Sequence, residues 1–599
     1  MSNRVIVFGM ANRLSWGFVF WICLLGGLAV NVRVAGAKPL ELPDELMPRA
    51  ALEKIYAEEL PEYKPADYQK IYDAHIYLEK YFLTDSAEDR KAITQILEKS
   101  GISISTLGRM CRIHLPWLAL PPGPAYVNER IGPYDIQYFL GVPANYDRTK
   151  EWPLVVRLPA ANAIIKDEKN PPKPDEVVQL YTQWVTEELK LHPDAVLIMP
   201  LLNLDELYGP SYKGMNTVIE SIHHVFTRVN IDPKRIYMLG HGMAGHATWN
   251  LAIHYPTFFA AINPMAGGAS ADWQRIRMMN LKNILSVVWH DSSDTIIKPA
   301  ESTALVNMLK TMKYDVVYEQ TKNVGHMPTP EIAEKCYKLM RARTRELYPQ
   351  QVNLRSNRPD PTFNRVDWLQ VYQPFNGGKE HAMLLRRGSG KIVVNDNTHA
   401  VQAAFTKPNR IEAKADNVQT MRIYLNEQMV DFTKPITVVV NTKTRFEGMV
   451  KPDLNDMLMD QLFLGRGVRY FTAALDIDLA PLVPAGTKPA FNAAADAKML
   501  YFTMDEGKTY FPLEATNKPP FTHEGKVAYR AHLFSTDGGK TAWVAYISKY
   551  SPISTEALVR RPGEVAWTPV GAPEAAAILN VKSPPGIAVK AVEVFPAGK

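Results

Sequence analysis

The feature that most constrains the fold is the alternation of apolar strands with amphipathic helices between Tyr134 and Arg345. Strand-like runs such as "WPLVVRLPA", "DAVLIMP", "RIYMLG" and "ILSVVWH" alternate with helical runs such as "DEVVQLYTQWVTEELKL" and "NTVIESIHHVFTRVN". Parallel strands need long crossover connections, and helices that supply them cover both faces of the sheet. The pattern therefore predicts an α/β protein with a doubly wound, mostly parallel sheet.

The residue patterns on either side of this region differ from it. Apolar residues at helical spacing predict a helical region before the α/β domain, and alternating runs between turn residues predict β-rich modules after it. One such pair, "VVVN" and "RFEGMV", predicts a hairpin across Thr442-Lys443. The predicted segments are a signal peptide (1–37), a helical region (38–120), an α/β domain (121–348), a β-rich module (349–480), a linker (481–498), a β-hairpin module (499–555) and a Pro/Ala-rich tail (556–599).

The first 37 residues have the pattern of a targeting segment. Arg4 and Arg13 precede an apolar run over residues 16–30, and Ala35-Gly36-Ala37 follows as a small-residue cleavage pattern. This predicts export to the periplasm or the extracellular space, with no membrane association after cleavage. An uncleaved membrane anchor is the alternative, because Arg33 lies close to the cleavage position.

Charge and cysteine content exclude some functions. The net charge is +6, but the arginines of the first 37 residues supply three of these charges, and no acidic residue is present there. The remaining excess of positive charge is too small to indicate a nucleic-acid-binding protein. Outside this segment only Cys111 and Cys336 remain, which could form one disulfide or be buried as separate thiols.

A glycine-rich corner lies in the segment "RIYMLGHGMAGHATWNLAIHYP" (residues 235–256), between a predicted strand and a predicted helix. Gly240, Gly242 and Gly245 match G-x-G-x-x-G, the fingerprint of a dinucleotide site. That site also needs an acidic residue about 20 positions later for the ribose. No Asp or Glu occurs between His246 and Ala271. A dinucleotide site is therefore only an alternative hypothesis.

The same corner matches a nucleophile elbow, G-x-S-x-G, except that Gly242 occupies the position of the serine. In proteins with this elbow, an acid and then a histidine follow in loops after later strands. Asp294 follows the strand "ILSVVWH", and His326 follows the strand "VVYEQT". The order of the three positions thus agrees with the elbow.

Residues 134–345 resemble a secreted α/β hydrolase of the prolyl-oligopeptidase-like and feruloyl-esterase-like serine hydrolases. The resemblance rests on "DPKRIY" before the elbow, "HDSSDTII" around the acid and Gly325-His326 around the base. It implies an α/β-hydrolase fold, cleavage of ester or peptide bonds, and no cofactor or metal. It also implies that Asp294 is the acid, that His326 is the base, and that Gly242 stands in the nucleophile position.

The sequence departs from this family at two parts of the catalytic machinery. Gly242 has no side chain that could attack a carbonyl. The loop that supplies oxyanion donors in the family, usually His-Gly, is here Pro159-Ala160; Pro159 has no N–H, and Met243 is left as the other remnant of the oxyanion hole. The sequence therefore predicts a protein without serine catalysis that has a binding or scaffold role.

Three alternatives remain open for the histidines. Asp294 and His326 could activate a water molecule directly, which would give a hydrolase without a serine, or they could form a hydrogen bond of purely structural importance. His241, His290 and His326 could bind a metal, although histidines on separate loops are more often hydrogen-bonded core or surface residues. The expected ligand in the cleft is a small molecule, a peptide or a polysaccharide-linked ester, and the oligomeric state is not indicated.

Overall fold

The computed structural model describes part of the chain. The described residues are 6–8, 46–84, 86–131, 134–159, 174–201, 213–269, 272–356, 364–373, 382–387, 390–395, 398–479, 499–502, 511–514, 520–523, 526–534, 543–549, 555–561 and 568–570. Several predicted features lie outside these residues. They are the signal peptide apart from residues 6–8, Ala160, the linker over 481–498 and most of the tail over 556–599.

A large sheet is the centre of the α/β region. Its strands run in the spatial order β1-β2-β3-β5-β4-β6-β7-β8-β9. From β4 to β9 all neighbours are parallel, whereas β3 is antiparallel to both β2 and β5. The strands are β1 (Ile6–Phe8), β2 (Gly123–Ile131), β3 (Tyr134–Val142), β4 (Trp152–Arg157), β5 (Val196–Pro200), β6 (Ile231–His241), β7 (Ala261–Met265), β8 (Leu285–Asp291) and β9 (Val316–Thr321).

The sheet confirms the predicted α/β class. Strands β4 to β8 are mostly apolar and mostly buried, as expected for a parallel sheet that helices cover on both faces. At the centre of the sheet β4 pairs with β6, and Val155 lies opposite Tyr237. Because these strands are parallel, their carboxyl ends, and the loops that follow them, lie along one edge.

Helices connect the strands and form the region before the sheet. Helix α3 (Ala87–Lys99) begins after Ser86, whose hydroxyl accepts a hydrogen bond from the Asp89 N–H at 3.1 Å. The helices are α1 (Arg49–Glu59), α2 (Tyr68–Leu83), α3 (Ala87–Lys99), α4 (Ile104–Met110), α5 (Pro174–Leu191), α6 (Lys213–Arg228), α7 (Met243–His254), α8 (Asp272–Arg275), α9 (Pro299–Thr311), α10 (Pro330–Arg341) and α11 (Leu454–Leu464). Short 3-10 helices span Pro65–Asp67 and Ile276–Leu281.

The chain divides into two compact units. The first unit contains Met1–Gln350 together with Leu425–Phe432 and Val450–Ala474, so α11 belongs to it. In this unit Leu454, Met457 and Leu458 of α11 join the apolar core of α1 to α4. None of the described helices combines the length and the hydropathy that crossing a membrane requires.

The second unit contains Gln351–Tyr424, Thr433–Met449 and Leu475–Lys599, and most residues of the remaining strands belong to it. Strands β10-β15-β16-β18-β19 form one sheet and β11-β12-β17-β20 another, while β13-β14, β21-β22 and β23-β24-β25-β26-β27 form three further groups. The strands are β10 (Gln351–Ser356), β11 (Arg365–Val366), β12 (Leu369–Gln373), β13 (Ala382–Arg387), β14 (Gly390–Asn395), β15 (His399–Lys407), β16 (Arg410–Asp416), β17 (Thr420–Leu425), β18 (Ile436–Val440), β19 (Lys443–Gly448), β20 (Ala473–Asp478), β21 (Met499–Phe502), β22 (Phe511–Glu514), β23 (Pro520–His523), β24 (Lys526–Phe534), β25 (Trp543–Lys549), β26 (Thr555–Arg560) and β27 (Thr568–Val570).

The hairpin of β18 and β19 is present, but its turn lies one residue earlier than predicted. Val440 pairs with Lys443, so Asn441 and Thr442 form the loop. Both residues have positive φ, 49° and 68°. A two-residue hairpin loop requires this backbone to match the twist of the strands, and asparagine tolerates it well. The prediction of Thr442-Lys443 was therefore wrong by one position.

The two cysteines of the described residues are unpaired thiols. Cys111 and Cys336 are both fully buried. Burial raises the pKa of each thiol to about 12. Only the thiolate reacts rapidly with disulfide reagents, so both thiols are held in an unreactive form.

We expect Cys111 and Cys336 to resist 5,5′-dithiobis(2-nitrobenzoic acid) in the native protein and to react within minutes in 6 M guanidinium chloride. Mass spectrometry of tryptic peptides would assign the modified residue. Rapid native modification of either residue, or recovery of a Cys111–Cys336 disulfide, would contradict this burial.

Candidate active site

The glycine-rich corner is a sharp turn from β6 into α7. Gly242 lies between the two elements with φ of 60° and ψ of −119°, a conformation that side chains other than glycine rarely adopt. Two hydrogen bonds fix it: the Gly242 N–H donates to the Met265 carbonyl at 2.9 Å, and the Gly242 carbonyl accepts from the His246 N–H at 3.1 Å. The geometry is that of a strand-to-helix elbow.

The other two glycines of the corner allow close packing within the protein. A Cβ atom on Gly240 would lie 2.6 Å from Thr248 Oγ1, and a Cβ atom on Gly245 would lie 2.5 Å from the Met265 carbonyl oxygen. Both distances are too short for carbon. The glycines therefore let α7 lie directly against the sheet, and this packing accounts for the G-x-G-x-x-G spacing without a bound dinucleotide.

Asp294 lies in the loop after β8, with its side chain fully buried. Its Oδ1 accepts hydrogen bonds from the N–H groups of Ile296 at 2.8 Å and Ile297 at 3.1 Å. Burial alone would raise the pKa of Asp294, but the hydrogen bond from His326 and those two N–H groups outweigh it and hold the pKa below its usual value. Asp294 is therefore a buried carboxylate.

His326 lies in the loop after β9 and joins the acid to the elbow. Its Nδ1 donates to Asp294 Oδ2 at 2.7 Å. In the neutral ring the proton is then on Nδ1, and Nε2 presents a lone pair. A Cβ atom built on Gly242 would lie 3.1 Å from this Nε2. The structure thus brings Gly242, Asp294 and His326 together.

A second histidine also faces the acid. His290, the penultimate residue of β8, is buried, and its Nε2 lies 3.2 Å from Asp294 Oδ2 and 3.0 Å from the Ile297 carbonyl oxygen. Its Nδ1 lies 2.7 Å from Ser302 Oγ. From sequence, His290 is a possible metal ligand or a hydrogen-bonded core or surface residue, and its contact with Asp294 is not predicted. Its place at the end of a buried strand, four residues before Asp294, is the signal that could have indicated a partner of the acid.

His241 contacts the base from the other side. Its Nε2 donates to the His326 carbonyl at 2.7 Å, and the two rings lie 4.6 Å apart between centroids. Burial lowers the pKa of His241 to about 4, so the ring is neutral at physiological pH. The described residues contain no group of three His, Cys, Asp or Glu side chains that could hold a metal.

Pro159 and Met243 are the two described residues of the predicted oxyanion-loop remnant. Pro159 is buried two residues after the end of β4, at the same edge of the sheet as Gly242, and has no N–H to offer. Met243 is the first residue of α7, and its side chain is partly exposed. The N–H groups of a helix's first turn have no partner within the helix, so Met243 can provide one donor at this position. Ala160 lies outside the described residues.

Three features decide the fold. They are the order of strands β2 to β9, the elbow after β6, and the acid and histidine in the loops after β8 and β9. The chain has an α/β-hydrolase fold. This confirms the fold class that the sequence predicted.

Part of this chain is similar to several solved structures. A thermostable esterase is 20% identical, with a TM-score of 0.30, over 37% of this chain and 63% of its own. An arylesterase is 10% identical, with a TM-score of 0.29, over 42% of this chain and 97% of its own. An acylaminoacyl peptidase of Pyrococcus horikoshii is 12% identical, with a TM-score of 0.29, over 37% of this chain and 41% of its own. The chain therefore spans less than two thirds of the esterase and of the peptidase.

No protein-family model matches the chain, and no curated protein matches it in sequence.

Proposed function

We propose that this chain is a binding protein with an α/β-hydrolase fold and without serine catalysis. One observation carries the proposal: the residue that His326 Nε2 faces, across 3.1 Å to a built Cβ position, is Gly242. Among the described residues, no Ser, Thr or Cys side chain forms a hydrogen bond with His326. The base and the acid are arranged for a nucleophile that the residue between β6 and α7 does not supply.

The size of the expected loss favours this proposal over residual serine-type activity. Removal of the nucleophilic serine lowers kcat by roughly 10⁶ in a well-studied serine hydrolase. The activity that then remains comes from the oxyanion hole and from substrate binding. Here Pro159 removes an N–H from the loop that should supply one oxyanion donor.

The proposal is tested with a fluorophosphonate probe and with p-nitrophenyl acetate. We expect no covalent labelling of the native protein and no turnover above that of the His326→Ala variant. A control is His223→Ala, because the side chain of His223 is 14% exposed, similar to 17% for His326, and lies on α6 outside the site. Labelling of any residue in the cleft would overturn the proposal.

Direct activation of water by His326 is a second candidate function. The observation in its favour is the 2.7 Å hydrogen bond to a buried Asp294 carboxylate, which leaves the Nε2 lone pair directed toward Gly242. Turnover of p-nitrophenyl acetate that resists the fluorophosphonate, is lost in His326→Ala and is retained in His223→Ala would support this candidate and contradict the first one.

We expect the Gly242→Ser variant to recover little esterase activity. A single missing oxyanion donor lowers kcat by about 10²–10³-fold, and the added side chain must also be accommodated 3.1 Å from His326 Nε2. Steady-state kinetics on p-nitrophenyl acetate would measure the change against Gly242→Ala as the control for backbone strain. Rates typical of an efficient esterase in Gly242→Ser would show that Pro159 and Ala160 are not limiting.

Export is a further part of the proposal, supported by the arginines, apolar run and small-residue pattern of residues 1–37. We expect N-terminal sequencing of the mature protein from its own cell to begin near Lys38 and fractionation to place it outside the cytoplasm. An intact N-terminus in the membrane fraction would support the uncleaved anchor instead.

A further inference from the structure

A cavity lies at the edge of the large sheet opposite the candidate active site. Glu151, which directly precedes β4, and Ile231, the first residue of β6, both line it. Gly242 follows the other end of β6, so at about 3.3 Å per residue it lies roughly 30 Å from Ile231. All lining residues belong to the first unit. The cavity is therefore separate from the elbow, the acid and the base.

The cavity is small, and part of its wall is apolar. Its volume is about 30 Å³, whereas one water molecule needs about 10–15 Å³. Two water-sized groups therefore fit. Ile55, Ile113 and Trp117 are buried and supply apolar parts of the wall. Glu58 is an exposed lining residue, so the cavity reaches the surface.

Negative charge exceeds positive charge in this lining. Glu58, Glu59 and Glu151 line the cavity, and Arg112 is the cation among its described lining residues. Arg112 Nη2 lies 2.9 Å from Glu151 Oε1, and its Nη1 lies 3.7 Å from Glu59 Oε2. One guanidinium group beside three carboxylates leaves an excess of negative charge. The cavity therefore favours a positively charged occupant.

The pKa of Glu151 agrees with this excess of negative charge. Burial raises the pKa, and the carboxylates of Asp232 and Glu59 raise it further. Arg112 and Arg235 lower the pKa but do not outweigh these effects, so it lies above its usual value. A further cation in the cavity would stabilise the charged form of Glu151.

Asn230 adds a hydrogen-bond acceptor to the cavity. This lining residue is only 4% exposed, and its Nδ2 donates to the Arg148 carbonyl at 3.4 Å. Within the described part of the chain, no group donates to its Oδ1. A buried carbonyl oxygen without a donor is unfavourable. An N–H group in the cavity would supply the missing hydrogen bond.

We propose that this cavity binds a primary ammonium group on a short apolar stem, as in a small alkylamine. An ammonium group has three N–H donors and a positive charge, so it can meet Asn230 Oδ1 and a carboxylate at the same time. The stem lies against Ile55, Ile113 and Trp117. The inference goes beyond the function proposed above, which concerns the other edge of the sheet.

A metal ion suits the cavity less well than an ammonium group. Arg112 already contacts the carboxylates of Glu59 and Glu151. The part of the chain that the structure describes also holds no set of three His, Cys, Asp or Glu side chains arranged for a metal.

The test uses the full-length protein labelled with ¹⁵N-tryptophan and titrated with ethylammonium, ethanol and tetramethylammonium. Trp117 lines the cavity, and its indole N–H donates to the Phe226 carbonyl at 2.9 Å. Its signal is assigned with Trp117→Phe. Two fully buried tryptophans are the controls: Trp249 lies on α7, which begins at the elbow, and Trp368 belongs to the second unit.

We expect ethylammonium to shift the Trp117 signal with a dissociation constant of about 1–10 mM, while the signals of Trp249 and Trp368 stay in place. Ethanol has no charge and tetramethylammonium has no N–H, so each should bind at least about tenfold more weakly. Nα-acetyl-lysine N-methylamide identifies the source of the amine. Tighter binding than that of ethylammonium indicates a lysine side chain, and weaker binding indicates a free amine.

Two variants test the lining residues. Asn230→Leu removes the acceptor at similar side-chain size and should weaken ethylammonium binding about tenfold. Glu58→Gln changes an exposed side chain and should weaken it about two- to fivefold. The control is Glu53→Gln on the same helix, because Glu53 pairs with Arg49 and does not line the cavity. This control should change the affinity less than about 1.5-fold.

A Trp117 signal that does not respond to ethylammonium would overturn the inference. Equal shifts at Trp249 or Trp368, equal binding of ethanol, or equal effects of Glu58→Gln and Glu53→Gln would also overturn it. None of these results bears on serine catalysis, which the fluorophosphonate tests separately.

Discussion

Replacing Arg466 by methionine is expected to lower the free energy of unfolding of the first unit by about 3–5 kcal/mol, as breaking a buried ion pair does. Arg466 donates to both carboxylate oxygens of Glu79, at 2.7 and 2.9 Å, and both side chains are buried. It also donates to the carbonyl groups of Cys111 and Ile113, each at 3.1 Å. Methionine keeps the apolar length but leaves the Glu79 charge buried without its partner.

Urea unfolding followed by circular dichroism would measure this loss. The control is Lys338→Met, which removes an exposed pair with Glu334 on α10 and should change stability by less than about 1 kcal/mol. Adding Glu79→Gln to Arg466→Met should restore part of the loss, because glutamine removes the buried charge and can still accept the hydrogen bond from the Leu115 N–H. Equal effects of Arg466→Met and Lys338→Met would contradict this account of the ion pair.

The same pair predicts a dependence on pH. Burial would raise the pKa of Glu79, but the Arg466 guanidinium outweighs it and lowers the pKa from 4.5 to about 2. A carboxyl group with a lower pKa in the folded state contributes stability that is complete above about pH 4.5 and is lost as pH falls toward 2. The stability difference between the natural chain and Glu79→Gln should therefore shrink from pH 5 to pH 3. A constant difference over this range would contradict the ion pair.

Replacing Gly240 by alanine is expected to lower the free energy of unfolding by about 3 kcal/mol or more, at the upper end of the overpacking effects. The new Cβ would lie 2.5 Å from the carbonyl carbon of Ala244 and 2.6 Å from Thr248 Oγ1. The Ala244 carbonyl carbon is a backbone atom, so this clash can be removed only if α7 moves away from β6. Gly448→Ala is the control, because its Cβ would meet only the Phe446 ring at 3.4 Å, an ordinary contact.

Urea midpoints of the purified variants would compare Gly240→Ala with Gly448→Ala. A loss of soluble Gly240→Ala protein, with normal yields of Gly448→Ala, would agree with the expected effect. A destabilisation below 1 kcal/mol in Gly240→Ala would show that α7 does not need to lie so close to the sheet.

Local patterns predicted that Asp294 and His326 lie near the glycine-rich corner, because both residues follow strands. Asp294 and His326 come directly after apolar runs, and parallel strands place such positions at one edge. The same reasoning could not predict that His290 also faces Asp294, since the direction of a side chain at a strand end depends on register. The turn at Asn441-Thr442 was missed by one residue because only the pairing of Val440 with Lys443 determines it.

Contacts between segments that are distant in the chain could not be predicted from the sequence. Glu79 and Arg466 are 387 positions apart, and neither has a neighbour in sequence that indicates the pairing. The assignment of 450–474 to the first unit likewise depends on Leu454, Met457 and Leu458 packing with helices near the beginning of the chain. Hydrophobic spacing shows that a helix has an apolar face, but it does not show which partner covers that face.

The elbow has a consequence for protein engineering. The hydrogen bonds of Gly242 with Met265 and His246 hold its backbone in the conformation of a nucleophile-bearing turn. Glycine itself would permit many other backbone conformations. A designer who installs a hydroxyl or thiol here would not need to build the turn. The remaining work would be to move the imidazole outward by a few tenths of an ångström and to graft a donor loop in place of Pro159, which makes this chain a usable template for directed evolution.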